Sequence, residues 1–152
     1  MTCESTMPVA DSFDGVAIFC SDGRFATPCE ETLRTGLSLH SCDHLALPGG
    51  PGALVGHPEG RLPHEGVLDE VAFLVESHEV ERGILVAHEG CAFYTHRLGL
   101  SPDEVRPTQE RDLAMAAERI RERLPKLKLE GYLAERTGDG RLRLTPVPLE
   151  PD

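Results

Sequence analysis

No apolar run in the sequence approaches the roughly 20 residues that a helix needs to cross a bilayer, so no membrane partner is expected. The basic start and apolar stretch of a secretory signal are missing too. Met1 to Asp14 carries acids, serines and threonines instead, and reads as a flexible leader on a cytoplasmic protein. Positive charge is scarce: 15 Lys and Arg face 26 Asp and Glu, for a formal net charge of −11. Nucleic-acid binding rests on clustered cations that neutralise phosphates. The one basic stretch, Arg119 to Lys126, is interleaved with acids at helical spacing, the pattern of a solvated face, so no nucleic-acid partner is expected. Tryptophan and internal repeats are absent. No Gly-Lys-Ser or Gly-Lys-Thr follows the glycine-rich stretch Pro48-Gly49-Gly50-Pro51-Gly52, and no Gly-x-Gly-x-x-Gly follows the first apolar run. A phosphate-binding P-loop and a dinucleotide fold thereby lose their main support.

What remains is a 152-residue chain with 39% apolar and 27% charged residues, enough for one well-filled core and too little for two. The domain is expected over 15–147, with a tail at 148–152. Short apolar or β-branched runs alternate with longer helical patterns, which predicts a three-layer α/β fold: a mainly parallel sheet of about four strands with an added C-terminal edge strand. Val16-Ala17-Ile18-Phe19 reads as the first strand, with Cys20 at its carboxyl end. Thr27-Pro28, followed by Glu30 and Glu31, predicts a helix start, and that helix should end near Gly36. His44 to Leu47 reads as a second strand. Val67, Val71, Leu74, Val75 and His78 fall at helical spacing behind Pro63. Ile84-Leu85-Val86-Ala87 has the continuous apolar character of a central parallel strand, and His88 stands at its end. A short helix from Gly90 to about Leu98 and a loop through Ser101 and Pro102 should follow. The next predicted helix runs from Pro107 to Leu124, turning Leu113, Ala117, Ile120 and Leu124 inward. Leu127 to Glu135 and Arg141 to Val147 read as two strands about the turn Thr137-Gly138-Asp139-Gly140, with Pro146, Pro148 and Pro151 ending regular structure.

Five cysteines make an odd count, and without an export signal a disulfide framework explains them poorly. Metal binding or thiol chemistry is the better question. Cys20 and His88 occupy carboxyl ends of predicted parallel strands, where such sheets gather their ligands. Cys91 lies three residues beyond His88, so both side chains can turn to one side of a first helical turn, whose positive end should lower the Cys91 thiol pKa. Two thiolates and an imidazole suit zinc and leave a fourth tetrahedral position. Asp22 can accept a hydrogen bond from a zinc-bound water while Arg24 holds its carboxylate in a fork. Released, Asp22 can swing onto the metal.

Cys20-Ser21-Asp22-Gly23-Arg24 has the form Cys-x-Asp-x-Arg, and with His88-Glu89-Gly90-Cys91 it resembles the paired signature of the β-class carbonic anhydrases. The resemblance runs from about Val16 to Val147. It implies that Cys20, His88 and Cys91 hold Zn2+ and that Asp22 and Arg24 form a catalytic dyad. It also implies reversible hydration of carbon dioxide to bicarbonate by zinc-bound hydroxide, in a homodimer or higher homo-oligomer. The chain departs from the family pattern in four places: Ala87 and Ala92 replace flanking glycines, and Glu89 replaces a small hydroxyl residue. Gly49-Gly50-Pro51-Gly52 stands where an Arg-x-Ala-Gly segment is usual, and the stretch before the first strand is too short for the family's N-terminal helices. If Glu89 faced the pocket, it would oppose an anionic product. The alternatives are a non-catalytic zinc-stabilised binding module, a hydrolase of carbonyl sulfide or carbon disulfide, and a metal-free enzyme with Cys20 as nucleophile.

His40, Cys42 and His44 would share one face of an extended strand and form a second metal site, although a buried Cys42 flanked by partly exposed histidines is the plainer reading. Cys3 and Cys29 lack metal-spaced partners. His57, His64 and His96 suit surface or capping roles, with proton carriage as the sharper alternative.

Overall fold

The computed structural model describes residues 1–150. Its strands are β1 (Gly15–Cys20), β2 (Cys42–Leu47), β3 (Arg82–His88), β4 (Lys128–Arg136) and β5 (Leu142–Val147), and they form one sheet in the order β2-β1-β3-β4-β5. The first four are parallel, and β5 lies antiparallel on β4 as the added edge.

Side-chain alternation along the central strands sorts the core into two layers. Val16, Ile18, Leu85 and Ala87 face α2 (His64–His78) and α3 (Pro102–Arg123), whereas Ala17, Phe19, Ile84 and Val86 face α1 (Gly23–Gly36). Both faces are therefore covered, which is why β1 and the core of β3 are apolar at successive positions rather than at every second one. The edge strand β2 is different. It starts two residues earlier than expected, at Cys42, and leaves His44 and Ala46 exposed.

Two helix starts differ from expectation for one reason. α1 begins at Gly23, capped by Asp22, whose Oδ1 accepts from the Arg24 backbone N–H at 3.0 Å. α3 begins at Pro102, where Ser101 and Glu104 form a reciprocal capping box. Pro28 and Pro107, which look like first-turn prolines, are each the sixth helical residue. A proline there removes one backbone hydrogen bond. In α1 that loss is offset by burial of Phe25, Cys29 and Leu33 on the sheet. The expected helix after β3 is instead a turn at Glu89-Gly90 followed by a π-helical turn, Phe93–Arg97, in which Leu98 N–H donates to the Phe93 carbonyl.

Pro146 does not end β5 but lies inside it, opposite Tyr132, because a strand with an open edge tolerates a missing donor. Beyond β5 the chain stays packed: Leu149 is buried in the α2–α3 layer and its carbonyl accepts from Arg121. Pro151, also expected to break structure, lies outside the described residues. Residues 1–14 hold no helix or strand, yet their end is tied. The Asp14 carboxylate accepts from the backbone N–H groups of His40 and Ser41, and Phe13 stacks on His78 with ring centroids 3.6 Å apart. Among the described residues no helix is long and apolar enough to cross a membrane.

These helix starts are testable. Ser101→Ala should cost about 1 kcal/mol of stability in urea titrations, whereas Thr27→Ala, an exposed mid-helix change, should be neutral or slightly stabilising. A larger loss at Thr27 would place the α1 cap wrongly.

Candidate metal centre

β1 and β3 are parallel neighbours, so Cys20 and His88 emerge from the same end of the sheet. The turn at Glu89-Gly90 brings Cys91 back beside them, and the Cys91 carbonyl is held by the N–H groups of Tyr94 and Thr95. One ligand atom from each of Cys20, His88 and Cys91 lies within 4.8 Å of the others, with the two sulfurs 3.8 Å apart. All three residues are buried, and neither thiol is in a disulfide.

The state of His88 tests what this cluster can hold. Its Nδ1 is 2.7 Å from the Glu89 carbonyl. A carbonyl only accepts, so Nδ1 carries the proton and Nε2 presents a lone pair. That Nε2 is buried and has no hydrogen-bond partner. Such orphans are rare in folded proteins. A lone pair beside two sulfurs is a donor set that zinc fits, so the residues present suit the metal. Phe25 stacks on the His88 ring at 4.3 Å and fixes its plane.

The two thiols titrate apart. The hydrogen bond between the Cys91 and Cys20 sulfurs draws the Cys20 pKa down to about 4, against the opposing effect of burial. Cys91 is driven upward by its bond to Cys20, by burial and by the neighbouring sulfur's charge. Backbone N–H groups of Phe93 and Tyr94 do pull the Cys91 pKa down, as its place at the turn was expected to, but more weakly than the adjacent sulfur pushes it up.

At the rim, Asp22 and Arg24 form the fork expected of them. Arg24 Nε and Nη2 donate to Oδ1 and Oδ2 at 3.1 and 2.7 Å, and this pairing holds the Asp22 carboxyl down at about 2. Asp22 Oδ2 is 4.0 Å from His88 Nε2, which places the carboxylate directly beside the buried cluster. Glu89 faces the other way: it is exposed, and its Oε1 accepts from the Arg136 backbone N–H at the end of β4. The glycine-rich loop is shaped by contact. At Gly49, φ is +83° and a Cβ would meet the Phe93 ring at 2.6 Å, while at Gly50 one would meet the Cys20 backbone nitrogen at 2.9 Å. No side chain fits between this loop and the cysteine.

Among the described residues Cys20, His88 and Cys91 are the only such grouping. His40, Cys42 and His44 do not converge. His44 instead sits 3.3 Å from Glu30 and edge-on to Phe19, and the Cys42 thiol donates to the Asp43 carbonyl. His64 opens α2 and His96 is exposed, but His57 is no surface group: its Nε2 lies 2.6 Å from the buried Asp112.

Sequence reading missed the support beneath the cluster. Gln109 and Asp112, one turn apart on α3 and almost wholly buried, each brace a segment that carries a ligand. Gln109 Nε2 donates to the His88 carbonyl at 2.8 Å, and Asp112 Oδ2 accepts from the Tyr94 hydroxyl at 2.7 Å. The available signal was polar residues at inward positions between Val105 and Ala116, hidden once the helix is started at Pro107.

A family model described as "Putative carbonic anhydrase" matches residues 10–141. No curated protein matches the chain. Among solved structures, the beta-carbonic anhydrase isoform I of the protozoan Trichomonas vaginalis is similar at TM-score 0.58 and 10% identity, over 92% of this chain and 87% of that one. The beta-carbonic anhydrase CafA of the fungus Aspergillus fumigatus gives 0.53 at 18% identity, over 87% of this chain and 74% of its own. CafD of the same fungus gives 0.52 at 15%, over 93% and 94%. At these identities the fold is what is shared.

Two outcomes follow from the site's surroundings. Gln109→Leu should weaken zinc binding about tenfold in chelator competition, and unchanged affinity would remove Gln109 from the support. Burial pushes the Cys29 and Cys42 thiols up to about 12. Since the thiolate is the reactive form, both should stay protonated and resist iodoacetamide in mildly alkaline buffer, becoming reactive only as pH climbs toward that value. Exposed Cys3 should be modified before either of these two, as peptide mass spectrometry would show; rates at Cys29 and Cys42 equal to that at Cys3 in the folded protein would contradict the burial.

Proposed function

The chain belongs to the carbonic anhydrase family whose model it matches and has the fold of the β class, and on that premise we propose that it hydrates carbon dioxide reversibly to bicarbonate, with zinc held by Cys20, His88 and Cys91. The observation that carries this reading is the buried, partnerless Nε2 of His88 beside two sulfurs. When bound, zinc supplies a Lewis acid that makes a nucleophile from water near neutral pH.

The chain's own residues do the rest. Asp22, ionised throughout the neutral range, accepts a hydrogen bond at Oδ2 from the attacking water and so orients its lone pair toward the carbon of carbon dioxide. Arg24 keeps that carboxylate turned to the cluster and ionised. Phe25 and Phe93 wall the cluster with apolar surface, which suits an uncharged substrate. A second reading has the sulfur pair in its favour: the Cys91 sulfur 3.8 Å from Cys20 favours the Cys20 thiolate, which also suits a metal-free nucleophile.

Stopped-flow hydration assays on zinc-loaded protein should show saturable turnover well above buffer. Asp22→Ala should lower kcat/KM by about a hundredfold or more while keeping the metal, and Cys91→Ser should lose the metal itself. A zinc-loaded protein no faster than buffer at and above neutral pH would reject the reaction. Purified protein without tightly held zinc, but with a fast-alkylating Cys20, would favour the thiol enzyme.

A further inference from the structure

Next to the cluster lies a cavity of about 150 Å³ between the segment 48–62 and the turn Phe93–Arg97. Phe93 belongs to both places: it packs with Cys20 and Cys91 and forms one wall of the cavity, which none of the three candidate ligands lines. A wider groove of about 640 Å³ adjoins it and shares Pro48, Arg61, Phe93 and Arg97.

The distribution of charge singles this place out. With 26 acids for 15 cations, most arginines find a carboxylate, and seven of them sit within 4.0 Å of one. Arg61 and Arg97 are not among these, and the side chains of both are without hydrogen-bond partners among the described residues, although both line the same cavity. The Arg97 guanidinium stands 5.6 Å from the centre of the Phe93 ring, a contact that holds it at the wall. No carboxylate lines the inner cavity. Glu59 reaches only the outer groove, and the buried Asp112 behind the wall is already engaged by His57 and Tyr94. Two arginines with no internal anion, both in the lining of an acid-free hollow, create a local positive potential in an otherwise acidic molecule. The hollow exceeds one water's share of liquid volume, about 30 Å³, several times over, which leaves room for a small oxyanion.

We propose that Arg61 and Arg97 clasp a small oxyanion of the phosphate type at a site separate from the metal centre. Their planar forks match paired terminal oxygens. The site does not depend on the hydration reaction. Inorganic phosphate is titrated into zinc-free and zinc-loaded protein, followed by calorimetry and by the arginine Nε–H signals in NMR. Saturable binding at one site per chain is expected, equal in both forms and in Asp22→Ala, and weaker at high salt. Arg61→Ala and Arg97→Ala should each weaken it about tenfold or more, and Arg97→Lys, which keeps the charge but loses the fork, should fall between. Both residues are exposed, so circular dichroism and thermal midpoints should match the parent. Phosphate affinity unchanged in the double alanine variant would overturn the proposal, as would binding only when zinc is present or no saturable binding at all.

Discussion

A lone pair that nothing satisfies, on a histidine nitrogen sealed from water, is the constraint on which the rest of the structure turns. Leaving a buried polar atom unpaired costs about 1–3 kcal/mol, and the Nε2 of His88 is such an atom. Here the surroundings keep it bare. Nδ1 is committed to the Glu89 carbonyl, Phe25 covers the ring, and the nearby Asp22 carboxylate, ionised in the fork of Arg24, has no proton to donate. A cation held by that nitrogen would relieve the local penalty, so that metal affinity and stability would become one linked quantity.

The fold delivers this arrangement by simple means. Parallel neighbours place two residues of the candidate metal cluster at one end of the sheet, and a two-residue turn returns the third. What they do not supply is rigidity. That comes from α3, where Gln109 grips the main chain at one ligand and Asp112 grips the side chain that follows another. Glycines at 49 and 50 let the opposite loop close against Phe93 and the backbone of Cys20.

How far the amino-acid pattern could be read depended on whether local rules agreed with tertiary ones. The strands before Cys20 and His88 were plain because continuous apolar runs have few other uses in a sheet covered on both faces, and the gathering of Cys20 and His88 followed from where those runs stop. The helix starts were misplaced because proline and capping signals competed: Pro28 and Pro107 looked like first-turn residues, while Asp22 and the Ser101–Glu104 pair held the actual ends. Asp22 was read for its chemistry alone, yet it caps α1 with the same carboxylate that faces the cluster. The Cys91 thiol was judged from its own helix end, when the neighbouring sulfur, distant in sequence, decides it. Contacts across 71 residues, like that one, leave no periodic trace.

The overall charge bears on the proposed chemistry in a direction that a count alone would miss. A net charge of −11 does not repel carbon dioxide, which is uncharged, but it does repel bicarbonate, so the long-range field leaves entry unaffected and favours departure of the anion. Close to the cluster the balance is different, because Asp22 is neutralised by Arg24 and Glu89 is turned toward β4. An acidic exterior around a locally compensated centre thus separates two demands that a uniformly charged molecule would set against each other. For the proposed reaction, the nucleophile would stand without excess negative charge beside it, and the anionic product would be helped to leave once formed.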